Sequence, residues 1–160
     1  MDLDNIFGLF GFNKDNDNSK EESYLKEIEE YKSTPKYKVG MFYKMISNGI
    51  QFRGQLIKFF EKSTREELDL GIEEVGDYMM YTRAYYWIQE CNLKDSEWKE
   101  ALQHYLKQNG FEDKECEKNE LINCFILSIK YFEGVEEFEK CAFLKSIQDY
   151  LKKEYILNLF

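Results

Sequence analysis

Three carboxylates recur at four-residue spacing, Asp69, Glu73 and Asp77, and on a helix that spacing stacks them along one side. Carboxylates so placed can hold a divalent cation, pair with a cation from a neighbouring helix, or steer a basic partner. A metal centre of the helical-bundle type draws Glu-x-x-His pairs from several helices, and His104 is the one histidine in the chain. The same scarcity leaves no way to assemble a Ser-His-Asp set or a cysteine with an adjacent base. Cys91, Cys116, Cys124 and Cys141 are widely spaced, without the Cys-x-x-Cys or Cys-His spacing of zinc sites. No glycine-rich phosphate loop or dinucleotide fingerprint occurs. The pattern therefore predicts neither an enzyme nor a cofactor or metal site, and the acids read as a solvated ridge suited to binding.

Beside that ridge runs an aromatic stretch, Tyr78, Met79, Met80, Tyr81, Arg83, Tyr85, Tyr86 and Trp87, which at 100° per residue covers every side of a helix. One helix seldom buries all its sides. Core packing is expected to take Met79 and Tyr86, leaving Tyr78, Tyr81 and Tyr85 toward a neighbouring helix or solvent. Tyrosine, tryptophan and arginine dominate protein interfaces, so Asp69, Glu73, Asp77, Tyr78, Tyr81 and Tyr85 form the candidate partner-binding set. Arg53 and Arg83 fall within apolar stripes. A buried arginine must be paired, with Asp77, Glu73 or Glu74 as the acids within reach; the alternative is a pair of arginines holding an anion in the bundle core.

The elements that would position these residues are helices. The polar run Asn13 to Ser19 has no apolar periodicity, so residues 1–18 are expected to be a flexible segment and 19–160 a helical domain. Ile6, Phe7, Leu9, Phe10 and Phe12 in that segment read as a tail that packs on its own domain or frays, with a short docking segment or an amphipathic membrane wedge as the alternative. A capping box at Ser19 and Glu22 opens a first helix whose face is Tyr24, Leu25, Ile28 and Tyr31. Thr34 and Pro35 start a second, with the stripe Val39, Phe42, Tyr43, Ile46, Ile50, Ile57 and Phe60. Thr64 and Glu67 box the start of a third, with Leu68, Ile72, Val75, Met79 and Tyr86 inward and an end near Cys91.

Asp95 or Ser96 caps a fourth helix carrying Trp98, Leu102, Tyr105 and Leu106, stopped by a left-handed Gly110 with a contact from Phe111. Asp113 is expected to start a fifth, buried on nearly all sides from Leu121 to Phe132 and ended by Gly134. The sixth has Glu136 and Glu137 in its first turn and buries Phe138, Cys141, Leu144, Leu151 and Tyr155. The result is an all-α, single-domain antiparallel bundle of five to six helices with a long central hairpin, its second and third helices about 27 residues each. Across that hairpin the charges oppose. Residues 34–62 hold six Lys or Arg against one acid, and residues 63–93 hold two Arg against seven acids. Gly49, Gly54, Gly71 and Gly76 within it imply close backbone approach or a kink.

The chain as a whole has 160 residues, net charge −9 and 27 aromatics from 12 Tyr, 13 Phe and 2 Trp. That acidity disfavours direct nucleic-acid binding, and the acidic start and short apolar stretches predict no membrane span and a cytoplasmic location. It also suits rapid association with a basic protein. In size and charge alone, the chain resembles immunity proteins that neutralise bacterial toxins, and phage-encoded inhibitors that occupy nucleic-acid clefts. The resemblance implies direct binding of a basic partner such as a toxin or nuclease. A helical adaptor held through Ile6 to Phe12, or a metal protein using the acidic ridge, are the alternatives.

Overall fold

In the computed structural model, residues 14–63, 69–108, 110–111 and 116–160 are described. Among the described residues all six elements longer than one turn are α-helices: α1 Lys14–Ser33, α2 Pro35–Ser63, α3 Asp69–Ile88, α4 Ser96–Gln108, α5 Glu120–Gly134 and α6 Phe138–Asn158, with a 3-10 turn at Cys116–Lys118 before α5. The buried apolar residues form one cluster drawn from α2 to α6. No strand occurs among the described residues.

Helices α2 and α3 are antiparallel, as their cross-contacts show. Lys38 pairs with Glu90, Gly49 abuts Met80, and Arg53 reaches Asp77, so positions climb along one helix as they descend along the other. A Cβ on Gly49 would strike the Met80 side chain, and one on Gly40 would strike the Tyr105 ring of α4, whereas Gly54, Gly71 and Gly76 face open space. Close approach therefore accounts for Gly40 and Gly49. Phe42 of α2 meets Phe125 of α5 with ring centroids 4.6 Å apart, and α6 closes the bundle with Cys141, Leu144, Ile147, Leu151 and Tyr155 buried.

Several caps act as their residue types dictate. The Thr34 hydroxyl accepts from the Tyr37 amide at 3.3 Å with Pro35 in the first helical position, and Asp95 accepts from the Glu97 amide at 2.9 Å. Gly110 is left-handed at φ 70°, and Phe111 packs edge-on against Tyr155. Several helix ends depart from the sequence pattern. Helix α1 begins at Lys14 and runs through the polar stretch, so Ser19 lies inside a helix rather than at its cap. Helix α5 begins at Glu120, because Asn119 accepts from the Leu121 and Ile122 amides while donating to the Leu106 carbonyl at 2.9 Å; Asp113, like Thr64, Glu67 and Leu68, lies outside the described residues. Past Gly134 it is Glu136 that turns left-handed, at φ 61°. Helix α6 begins at Phe138, and that ring is exposed instead of buried.

Two whole faces differ as well. Tyr24, Leu25, Ile28 and Tyr31 of α1 are exposed, because the helix meets the bundle near its C-terminal end, where Tyr31 packs on Tyr37. On α3, Val75, Met79 and Tyr86 point to solvent while Tyr81, Ala84 and Ile88 are buried. In α2 the buried stripe is Val39, Phe42 and Ile46, and Ile50 beyond it is exposed.

Candidate binding face

Helix α3 is apolar on several sides, so its own pattern leaves its rotation undetermined. Its neighbours settle the matter. Tyr81 stacks on Tyr131 of α5 at 4.5 Å, and Tyr85 meets Phe132 of α5 and Phe143 of α6 edge-on. Arg53 of α2 donates to Asp77 at 2.7 Å and to Glu73 at 3.2 Å. At 100° per residue Glu73 and Asp77 continue the row of Tyr81, Ala84 and Ile88. The acidic ridge is thus the extension of the buried face, turned toward the basic helix α2.

The six residues of the sequence-derived binding set therefore separate. Tyr81 is in the core, 7% exposed, and Tyr85 is half-buried against two rings. Glu73 and Asp77 are occupied by Arg53. Tyr78 is 60% exposed. Asp69 is the first residue of α3, and its side chain lies outside the described residues. Of the two arginines read as core residues, Arg53 makes the expected structural pairs, whereas Arg83 is exposed, so the two do not form a buried anion site. The Arg53 pairs are partly solvated, at 38% exposure for the arginine and 42% for Glu73, and contribute no more than about 1 kcal/mol each.

Burial pushes the Asp77 carboxyl above its ordinary value; the Arg53 guanidinium opposes this and Glu73 adds to it. Burial also raises the Tyr81 hydroxyl, helped by the charge of Asp77 and opposed by Arg53. The Cys91 thiol is pushed up to about 12 and Cys124 to about 11, in each case chiefly by burial. Both stay protonated at neutral pH and lack the thiolate that nucleophilic chemistry requires. His104 is exposed and edge-on to Tyr105. It borders an open hollow with Lys36, Glu97 and Glu100. Among the described residues no group of three or more His, Cys, Asp or Glu is placed to hold a metal ion, and no helix is long and apolar enough to cross a membrane.

What remains for contact is the outer side of α3. Val75, Met79 and Tyr86 are 58%, 48% and 63% exposed, with Tyr78 and Arg83 beside them. Sequence reasoning sent Val75, Met79 and Tyr86 to the core because their spacing is helical. The signal that could have reversed the assignment is the competing row Asp77, Tyr81, Ala84 and Ile88, whose acid answers Arg53 across the hairpin. No protein family, curated protein or solved structure matches the chain.

Proposed function

We propose that this protein is a cytoplasmic protein-binding inhibitor that neutralises a basic partner by direct contact, in the manner of an immunity protein against a bacterial toxin. The observation that carries the reading is the outer stripe of α3, where Val75, Met79 and Tyr86 are open to solvent with Tyr78 alongside. Tyrosine, methionine and arginine are enriched at protein interfaces, and such a row on an exposed helix is the kind of surface a partner would cover. The net charge of −9 supports fast association with a basic protein and discourages acidic competitors. Because Glu73 and Asp77 are spent on Arg53, the contact energy is assigned to the apolar stripe and the steering to the protein's overall field.

The test is rescue of growth in cells producing the polypeptide encoded beside this chain's gene. Wild type is expected to restore growth, and Val75→Ser with Met79→Ser to lose that ability while keeping its circular dichroism, because both side chains are exposed. Equal rescue by the double variant would remove this face, and no rescue by wild type would remove the inhibitor reading.

A further inference from the structure

The seven residues from Glu133 to Glu139, which link α5 to α6, are all exposed, and they hold four glutamates, Val135 and Phe138 with no lysine or arginine. Lys140 closes the segment but is already engaged. Its ammonium pairs with Glu137 and lies over the Tyr85 and Phe132 rings at 5.2 and 5.1 Å. Among the described residues no ion pair takes up Glu133, Glu136 or Glu139. Lys130 lies one turn back on α5, and Lys145, two turns on in α6, is held by Asp149 and Gln148. Helical side chains lean toward the N-terminus of their helix, so Phe138 leans over the turn and away from Lys145.

Folding alone gives no reason for two of these acids. Glu137 and Glu139 suit the start of α6, whereas Glu133 stands in the last turn of α5, where the helix dipole disfavours an acid. Glu136 holds a left-handed φ of 61° that glycine or asparagine adopts at lower cost. Local choices that run against the fold are expected where a surface serves another purpose. The turn also adjoins α3. Tyr131 stacks on Tyr81, and burial raises its hydroxyl, with the charges of Asp77, Tyr78 and Glu137 adding to the shift. Burial likewise raises the Tyr85 hydroxyl, with Lys140 opposing and Glu137 and Glu139 adding. The acids of the turn thus stand beside the Tyr78 and Tyr85 side of α3.

We propose that the turn between α5 and α6 is the charged half of the binding face, taking an arginine- or lysine-rich segment of a protein partner that has an apolar pocket for Phe138. This rests on the protein-binding reading of α3 and names the partner's chemistry. The Phe138 ring supplies the desolvated contact, and Glu133, Glu136 and Glu139 around it select cations. The overall field brings a basic protein in, and the turn fixes where its charges come to rest. A second copy set turn against turn would oppose these glutamates to themselves. Anionic lipid meets the same repulsion.

The probe is a short peptide of arginine and leucine, titrated into the isotope-labelled full chain at about 0.15 M salt. A peptide with glutamate in place of arginine and one with serine in place of leucine are the comparisons. Backbone amide shifts are expected to be largest from Glu133 to Glu139 and to be absent with the glutamate peptide. Affinity should fall about tenfold in Phe138→Ser and more than about threefold in Glu136→Gln with Glu139→Gln. Glu21→Gln with Glu22→Gln, which removes the same charge from the exposed side of α1, should stay within about twofold of wild type. Equal loss in the two charge variants, or shifts spread evenly over the acidic surface, would overturn the proposal. So would unchanged binding in Phe138→Ser, or equal binding of the serine peptide, either of which leaves charge alone. A dimer in sedimentation that Phe138→Ser dissociates would give the turn to a second copy and overturn it, as would binding to phosphatidylserine vesicles that the same variant abolishes. The growth assay reads the α3 face separately. Lost rescue in the α3 variant with no shifts at the turn leaves the α3 face standing, and full rescue there with shifts at the turn leaves the turn alone.

Discussion

Helices α1 and α6 are almost equal in length, 20 and 21 residues, and each carries apolar residues at helical spacing, yet α1 is exposed from Asn18 to Ser33 and α6 holds the bundle closed. In α6 the stripe Cys141, Leu144, Ile147, Leu151 and Tyr155 continues over four turns and is buried along its length. In α1 the stripe covers only Tyr24 to Tyr31, and the turns before it are polar. Burying a large apolar side chain stabilises by roughly 1.5–3 kcal/mol, a gain that α6 makes repeatedly along its buried stripe and that the exposed stripe of α1 does not make. Apolar spacing identifies a helix's sticky side, and its extent decides whether the protein itself can use it.

The sharpest way to break this comparison is truncation on each helix. Leu144→Ala should lower unfolding free energy by about 2–5 kcal/mol, and Ile28→Ala by less than about 0.5 kcal/mol, both read from urea unfolding. Similar losses would mean that α1 is packed after all. A finer distinction lies within α2 itself. By helix propensity alone each glycine replaced by alanine should gain about 1 kcal/mol, and Gly54→Ala, facing open space, should show that gain. At Gly40 the new methyl meets the Tyr105 ring, and Gly40→Ala should instead cost about 1–3 kcal/mol. A gain at both positions would deny the close contact between α2 and α4.

A pH dependence follows from the buried titratable groups. Cys91, Cys124 and Tyr81 all have values raised chiefly by burial from ordinary values of 9 for the thiols and 10 for the phenol, Cys91 to about 12 and Cys124 to about 11. Above pH 9 the unfolded chain releases protons that the folded chain retains. Stability is therefore complete below that pH and is lost progressively as pH rises toward 12. Urea midpoints should fall between pH 9 and 11, and Tyr81→Phe should flatten that slope. An unchanged slope would place the Tyr81 ring in contact with water.

Much of the helical framework was legible. Thr34 with Pro35, Asp95 and Gly110 are local punctuation, each satisfying backbone groups within a few residues of itself, and so they act in the structure as their types predict. Asn119 was missed although asparagine before an apolar run is a good cap, because its second bond, to the Leu106 carbonyl, belongs to another helix. Arg53 was expected to pair with Asp77, Glu73 or Glu74 because it falls in an apolar stripe, and it pairs with the first two although it is only partly buried. The candidate site fared differently. Tyr81 and Met79 are two residues apart, and which of them is inward depends on contacts with Tyr131 and Met80's neighbour Gly49, which lie far along the chain.

The amino-acid sequence by itself determined that this protein is all helical and how most of its helices begin or end. Helix signals act within about one turn, and caps, periodicity and glycine punctuation are all local. Only the tertiary structure decided which side of α3 faces water and that the stripe of α1 is left uncovered. A helix apolar on several sides has no preferred rotation until α2, α5 and α6 present their rings and charges to it, and those contacts are non-local. Two of the acids that looked like the binding ridge, Glu73 and Asp77, are held by Arg53, and the residues that looked like core, Val75, Met79 and Tyr86, are the ones in the open.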